Sequence, residues 1–139
     1  MTDSEVAGEL GWMLDDLIDR VGDVRKALVL SRDGLIMAAT RGMSRADAEF
    51  LAALAAGFFS LASGARANLD SGEVRQAVIE LEDGLFFVVP AGSGSCLALL
   101  SRVGSNAGLV SYEMTMLVKR VSRHLAAHPR SAGSPTGVR

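Results

Sequence analysis

The apolar positions of the chain fall into two kinds of period, one helical and one of strands. Val6, Leu10, Leu14, Leu17 and Val21 recur at spacings of four, four, three and four, which lays them on one face of a helix predicted over about residues 6–21. Glu9, Asp15, Asp16, Asp19 and Arg20 take the other face as a solvated surface. Asp3 and Glu5 sit near the positive end of the helix dipole, and Gly22-Asp23 ends the helix. Ala27-Leu28-Val29-Leu30 is an uninterrupted apolar run, the pattern of a strand covered on both faces. Asp33-Gly34 offers the positive φ of a tight turn, from which Leu35 to Thr40 returns as the partner strand. Asp83-Gly84 reads the same way between strands Val74 to Glu82 and Leu85 to Pro90. In the first of these, Ala77, Ile79 and Leu81 alternate with Gln76, Val78, Glu80 and Glu82. Gly92-Ser93-Gly94-Ser95 turns into a fifth strand, Cys96 to Ser101.

Between the two hairpins lies a long helix. Ser44 is its N-cap, with Asp47 three residues on in a capping-box-like position and Met43 placed to staple onto the first turn. It is expected to run to about Asn68 and to stop at Asp70-Ser71-Gly72. Phe50, Leu54, Phe58, Leu61 and Ala65 make one apolar stripe, assigned to the chain's own sheet. Leu51, Ala55, Phe59 and Ala62 make a second stripe beside it. A helix apolar nearly all round is covered on both sides, and one sheet covers only one. The second stripe is therefore expected to meet a partner, with Ala52, Ala53, Ala56 and Gly57 permitting close approach, the alternative being that another element of the same chain covers it. Which of the adjacent Phe58 and Phe59 faces out is left open by the pattern. A second copy of the chain, related by a two-fold axis, is the simplest partner. The strand carrying Gln76 and Val78 tolerates an edge position and could pair across the same axis.

The last helix starts near Ser105 or Asn106 and uses Val110, Met114, Leu117, Val121 and Leu125, with Lys119, Arg120, Arg123 and His124 near its negative end. Residues 129–139, rich in Pro, Gly and Ser, are expected to be disordered, leaving residues 1–128 as one domain. The order α-β-β-α-β-β-β-α, with two hairpins and no helical crossover between parallel strands, predicts an α+β fold. Its sheet has five strands, is largely antiparallel, and carries flanking helices.

Composition narrows the function. Fourteen basic and sixteen acidic side chains give a formal charge of −2, which argues against a nucleic-acid partner. One cysteine, Cys96, excludes an internal disulfide, and the acidic N-terminus does not read as a signal peptide. The uncharged stretch 50–64 is short for a bilayer span, so a cytoplasmic protein without membrane insertion is expected. Catalytic constellations do not assemble. The 92–95 turn lacks the lysine of a phosphate-binding loop. Gly104-Ser105-Asn106-Ala107-Gly108 has asparagine where a nucleophile elbow needs its nucleophile. His124 and His128 lack a third ligand. Cys96 has no neighbouring base and reads as a buried apolar residue. No catalytic residue, metal or cofactor is assigned, and the chain reads as a binding protein.

The stretches VRKALVLSRDGLIMAA, AEFLAALAAGFFSLA, GEVRQAVIELEDGLFFVVPAGSGSCLALLS and NAGLVSYEMTMLVKRV together resemble the roadblock/LC7 family over roughly residues 6–126. The likeness is to its bacterial stand-alone branch, whose members work beside small Ras-like GTPases and, in some cases, sensor-kinase-like proteins. The resemblance implies a homodimer in which the central helices pack together and the third strands join two sheets, with Leu51, Leu54, Ala55, Phe58, Phe59, Ala62, Gln76 and Val78 at the interface. It implies a regulator or scaffold of a small GTPase and supplies no catalytic set to carry over; Arg41, Arg45 and Arg66, on expected exposed element ends, are the candidate contacts, each otherwise a solvated charge. A nucleotide-indifferent dimerisation module of a sensor-kinase-like complex is the alternative, and a small-molecule sensor a more distant one.

Overall fold

The computed structural model describes residues 3–92, 94–104 and 106–127. The expected tail, Ser105, His128 and the centre of the 92–95 turn lie outside the described residues. The elements are α1 (Asp3–Arg20), β1 (Val24–Ser31), β2 (Ile36–Ala39), α2 (Arg45–Leu69), β3 (Ala77–Leu81), β4 (Gly84–Gly92), β5 (Ser95–Arg102) and α3 (Ala107–Ala127). The five strands form one antiparallel sheet in the order β2-β1-β5-β4-β3, which leaves β2 and β3 at its edges. The α+β reading holds in element order and in strand direction.

The pleat sorts the core into two halves. Ala27, Val29, Phe87, Leu97 and Leu99 point to one face, where they meet Leu10, Leu14 and Leu17 of α1 and Val110, Met114, Leu117 and Val121 of α3. Leu28, Leu30, Phe86, Val88, Cys96 and Ala98 point to the other, where α2 covers them. Successive strand residues face opposite sides, so a strand covered on both faces reads as a continuous apolar run. That is the pattern of residues 27–30.

The two hairpins close differently. Ser31 and Leu35 pair across three turn residues, with Gly34 at φ 90° in the left-handed region. In the second hairpin Leu81 pairs with Gly84 across Glu82 and Asp83, and Gly84 is not left-handed. The expected Asp-Gly turn is thus a Glu-Asp turn, and Gly84 is already the first residue of β4. Ser44 caps α2 by accepting the Asp47 amide at 3.1 Å. The Asp47 carboxylate lies 3.7 Å from Lys26 Nζ. Asp70, at φ 50°, ends the helix, and its amide donates to the Arg66 carbonyl. Asn106 caps α3 by accepting the Leu109 amide at 3.0 Å.

The acidic face of α1, expected to be merely solvated, is a seam of ion pairs. Arg20 bridges Asp16 of its own helix, at 2.9 Å, and Glu113 of α3, at 2.6 Å. The Glu113 and Asp16 hydrogen bonds, in that order, raise the Arg20 pKa further above its ordinary range. Arg41, in the loop after β2, reaches Asp19 at 2.8 Å, while its backbone amide donates to Asp15. These contacts tie α1 to α3 and to the entry of α2.

Candidate functional site

The candidate site is the outer side of α2 and the sheet edge beside it. Seating α2 on the sheet requires small side chains underneath, because Leu28, Leu30, Phe86 and Val88 already supply the bulk. Ala48, Ala52 and Ala55 of α2 are accordingly buried on this side, and the larger Phe59 is buried with them. The β1–β2 turn presses against the same helix: a Cβ at Gly34 would sit 3.6 Å from that of Ala56. Arg32 of that turn stacks its guanidinium 5.1 Å from the Phe59 ring centroid. Phe58 packs tilted against Phe86, with ring centroids 6.2 Å apart.

This reverses the expected assignment of the two stripes. Ala55 and Phe59, expected to face a partner, belong to the chain's own core, and Leu51 and Ala62 are half-buried. Phe50 and Leu61, expected on the sheet, are 66% and 77% exposed. Leu54 and Phe58 lie between the two, in contact with the core and open on the outer side. Of the small residues, Ala52 is fully buried under the helix, whereas Ala53 and Gly57 are exposed. Ala53, Leu54, Gly57, Phe58 and Leu61 line a shallow apolar groove of about 220 Å³. The outward role of Phe50 and Leu61 was hidden because both stripes are apolar. The usable signal was the row Ala48, Ala52, Ala55 and Phe59, at spacings of four, three and four, whose first three members are small enough for close seating.

By length and composition α2 would also suffice to cross a membrane. Its Ala52, Ala55 and Phe59 are buried against the sheet, while most of its remaining surface is not covered by this chain.

The edge strand β3 lies beside this helix. Ala77 and Ile79 turn toward α2, while Val78 turns to the opposite face and is 46% exposed. Gln76, expected within the strand, immediately precedes it and is exposed. The three candidate arginines do not converge. Arg41 is held by Asp19 and Asp15, Arg45 pairs with Glu49 at 3.2 Å, and Arg66 pairs with Glu73 at 2.7 Å. Arg45 and Arg66 stand at opposite ends of α2, about 30 Å apart at 1.5 Å per residue. Cys96 is fully buried beneath α2, and burial pushes its thiol pKa up against the smaller opposing pull of Arg32. Among the described residues no group of three or more His, Cys, Asp or Glu is placed to hold a metal ion.

Three comparisons set this geometry among known proteins. A Roadblock/LC7 domain from Streptomyces avermitilis is 42% identical in sequence and superposes with a TM-score of 0.79, covering 84% of this chain and 97% of its own. A gliding protein, MglB, from Thermus thermophilus is 19% identical with a TM-score of 0.77, covers 88% of this chain and 92% of its own, and shows the shared fold. An uncharacterized protein of Methanocaldococcus jannaschii is 29% identical over 104 residues, 75% of this chain and 90% of that protein. The Roadblock/LC7 domain signature matches residues 10–101, from the core of α1 through β5. With sheet order, helix placement and signature in agreement over most of its length, the chain belongs to the Roadblock/LC7 family.

Proposed function

We propose that this chain is a non-enzymatic, homodimeric regulator or scaffold of a small Ras-like GTPase in bacterial signalling, acting in the cytoplasm. The observation that carries the dimer is the adjacency of an open sheet edge, β3, to the exposed apolar side of α2 bearing Phe50 and Leu61. A two-fold axis beside β3 pairs the edge strands, extends the sheet and buries the groove between two copies of α2. An unpaired edge and an apolar patch are both liabilities in a lone chain, and one interface removes both. Leu54 and Phe58 remain in the proposed interface. Leu51 and Ala62 stand at its margin, and Val78 and Gln76 on its strand side. Ala55 and Phe59 support it from within.

The GTPase partner rests on the family. An effect on hydrolysis would be exerted on the partner, by positioning its switch segments or by lending an arginine. Of the three candidates, Arg45 has the freest side chain, 89% exposed with one pairing along its own helix.

The test is a titration of the full chain with the small GTPase encoded nearest to it, loaded with GDP and then with a GTP analogue. Tighter binding to the GTP-like state is expected; a tenfold preference corresponds to about 1.4 kcal/mol. A regulator shifts a switch only through its differential affinity for the two states. Equal affinity would leave a scaffold. No binding in either state would favour the nucleotide-indifferent module of a sensor-kinase-like complex.

A further inference from the structure

The face of the sheet opposite α2 carries a second surface with its own chemistry. On α3, Tyr112, Met116, Lys119 and Arg123 follow at spacings of four, three and four, so they form one outward stripe, and all four are exposed. Tyr112 is 60% exposed and Met116 42%. Trp12 of α1, 62% exposed, joins them through Arg120, whose guanidinium lies 5.7 Å from the indole centroid and one helical turn from Met116. An exposed Trp, Tyr and Met among arginines is the side-chain mixture enriched at the centres of protein interfaces.

The charges indicate what the surface accepts. Arg20, Arg41 and Arg120 of this layer are each matched by a carboxylate of α1 or α3. Among the described residues no carboxylate lies within ion-pair distance of Lys119 or Arg123. Two unmatched cations thus continue an apolar stripe, which complements a segment offering apolar residues at one end and carboxylates at the other. An anionic membrane fits less well, because two unmatched cations are few for a lipid surface, whereas exposed Trp12, Tyr112 and Met116 beside them suit a protein segment.

We propose that the Trp12–Tyr112–Met116 surface, with Lys119 and Arg123, docks an acidic amphipathic segment of a partner protein. Because α1 and α3 cover the other face of the sheet from α2, this site stays open whether or not α2 is paired, so the proposal stands independently of the GTPase reading.

Trp12 is the chain's single tryptophan, so its emission reports on the site directly. The full chain is titrated with a short synthetic helical peptide whose one face carries leucines over its first two turns and glutamates over its last two, and with the counterpart bearing lysines in place of the glutamates. A saturating change in Trp12 emission is expected with the glutamate peptide. The double variant Lys119→Glu, Arg123→Glu should weaken it by roughly tenfold or more, as should Tyr112→Ala. Circular dichroism serves as the check that both variants are folded. Absence of saturation with the glutamate peptide, equal binding of the lysine peptide, or equal binding by the charge-reversed variant would overturn the proposal. A Trp12 shift on phosphatidylserine vesicles with none on the peptide would overturn it in favour of a lipid surface. A fall in molecular mass of the charge-reversed variant in light scattering would overturn it by assigning the face to a second copy.

Discussion

The backbone of Gly84 lies so close to Ser101 that a Cβ at position 84 would overlap the Ser101 carbonyl oxygen. The obstruction is the backbone of β5, which pairs with β1 on its other side and cannot yield. Gly84 is therefore required for space, and its φ is not in the left-handed region. Gly84→Ala should lower the urea midpoint by an amount equivalent to about 2 kcal/mol or more, within the range of backbone clashes in a core. A midpoint equal to that of the parent would show that β4 can shift away from β5 at this point.

Cys96 should resist alkylation in the folded protein. The thiolate is the reactive form, and burial beneath α2 raises the thiol pKa and blocks access. Its folded pKa lies above the unfolded one, so the protonated thiol contributes stability below the unfolded pKa. That contribution is lost as pH rises through the folded value. Iodoacetamide labelling followed by mass spectrometry should show little modification at neutral pH and full modification in denaturant. Fast labelling of the native chain would mean that α2 lifts from the sheet on the labelling timescale.

Arg41→Ala, Arg45→Ala and Arg66→Ala should each leave thermal stability nearly unchanged, since exposed ion pairs contribute little. That neutrality makes them useful probes of the GTPase. An arginine that stabilises the transition state of hydrolysis is worth orders of magnitude in turnover. A loss of that size in one variant, measured by single-turnover GTP hydrolysis in the complex, would identify the contact. Losses of less than tenfold in all three would leave switch positioning as the route.

How far the sequence could be read depends on where periodicity and packing coincide. Residues 27–30 announced a strand covered on both faces, and Leu10, Leu14 and Leu17 a helix with one buried face, because each pattern admits one orientation. In α2 the pattern admits two. Phe50, Leu54 and Phe58 form as good a stripe as Leu51, Ala55 and Phe59, and hydrophobicity alone does not rank them. The ranking is set by a tertiary fact, the short distance at which α2 sits on a sheet already filled by Phe86 and Val88, which selects Ala52 and Ala55 for the underside. The ion-pair seam was invisible for a related reason. Asp15 and Asp19 find Arg41 only once β1 and β2 have brought position 41 back to α1. Gly84 shows the converse: its residue type was recognised, but the turn motif supplied the wrong cause.

The orientation of α2 gives the sharpest separation of folding from assembly. Phe59 is 6% exposed, within the cluster formed by Leu28, Leu30 and Val88, whereas Leu61, two residues on, is 77% exposed. Phe59→Ala should destabilise the fold itself by ~3–5 kcal/mol, the usual cost of emptying a phenylalanine site in a core. Leu61→Asp changes a side chain that touches little within one chain, so the fold should tolerate it. In a two-fold assembly through the α2 groove, the same change places an unpaired carboxylate in an apolar interface, at a cost of several kcal/mol. Chemical denaturation at low concentration should therefore show Leu61→Asp close to the parent and Phe59→Ala well below it. Light scattering across a dilution series should show the parent as a dimer and Leu61→Asp as a monomer. If Leu61→Asp stays dimeric while remaining folded, the α2 groove is not the interface, and the edge of β3 carries the assembly without it.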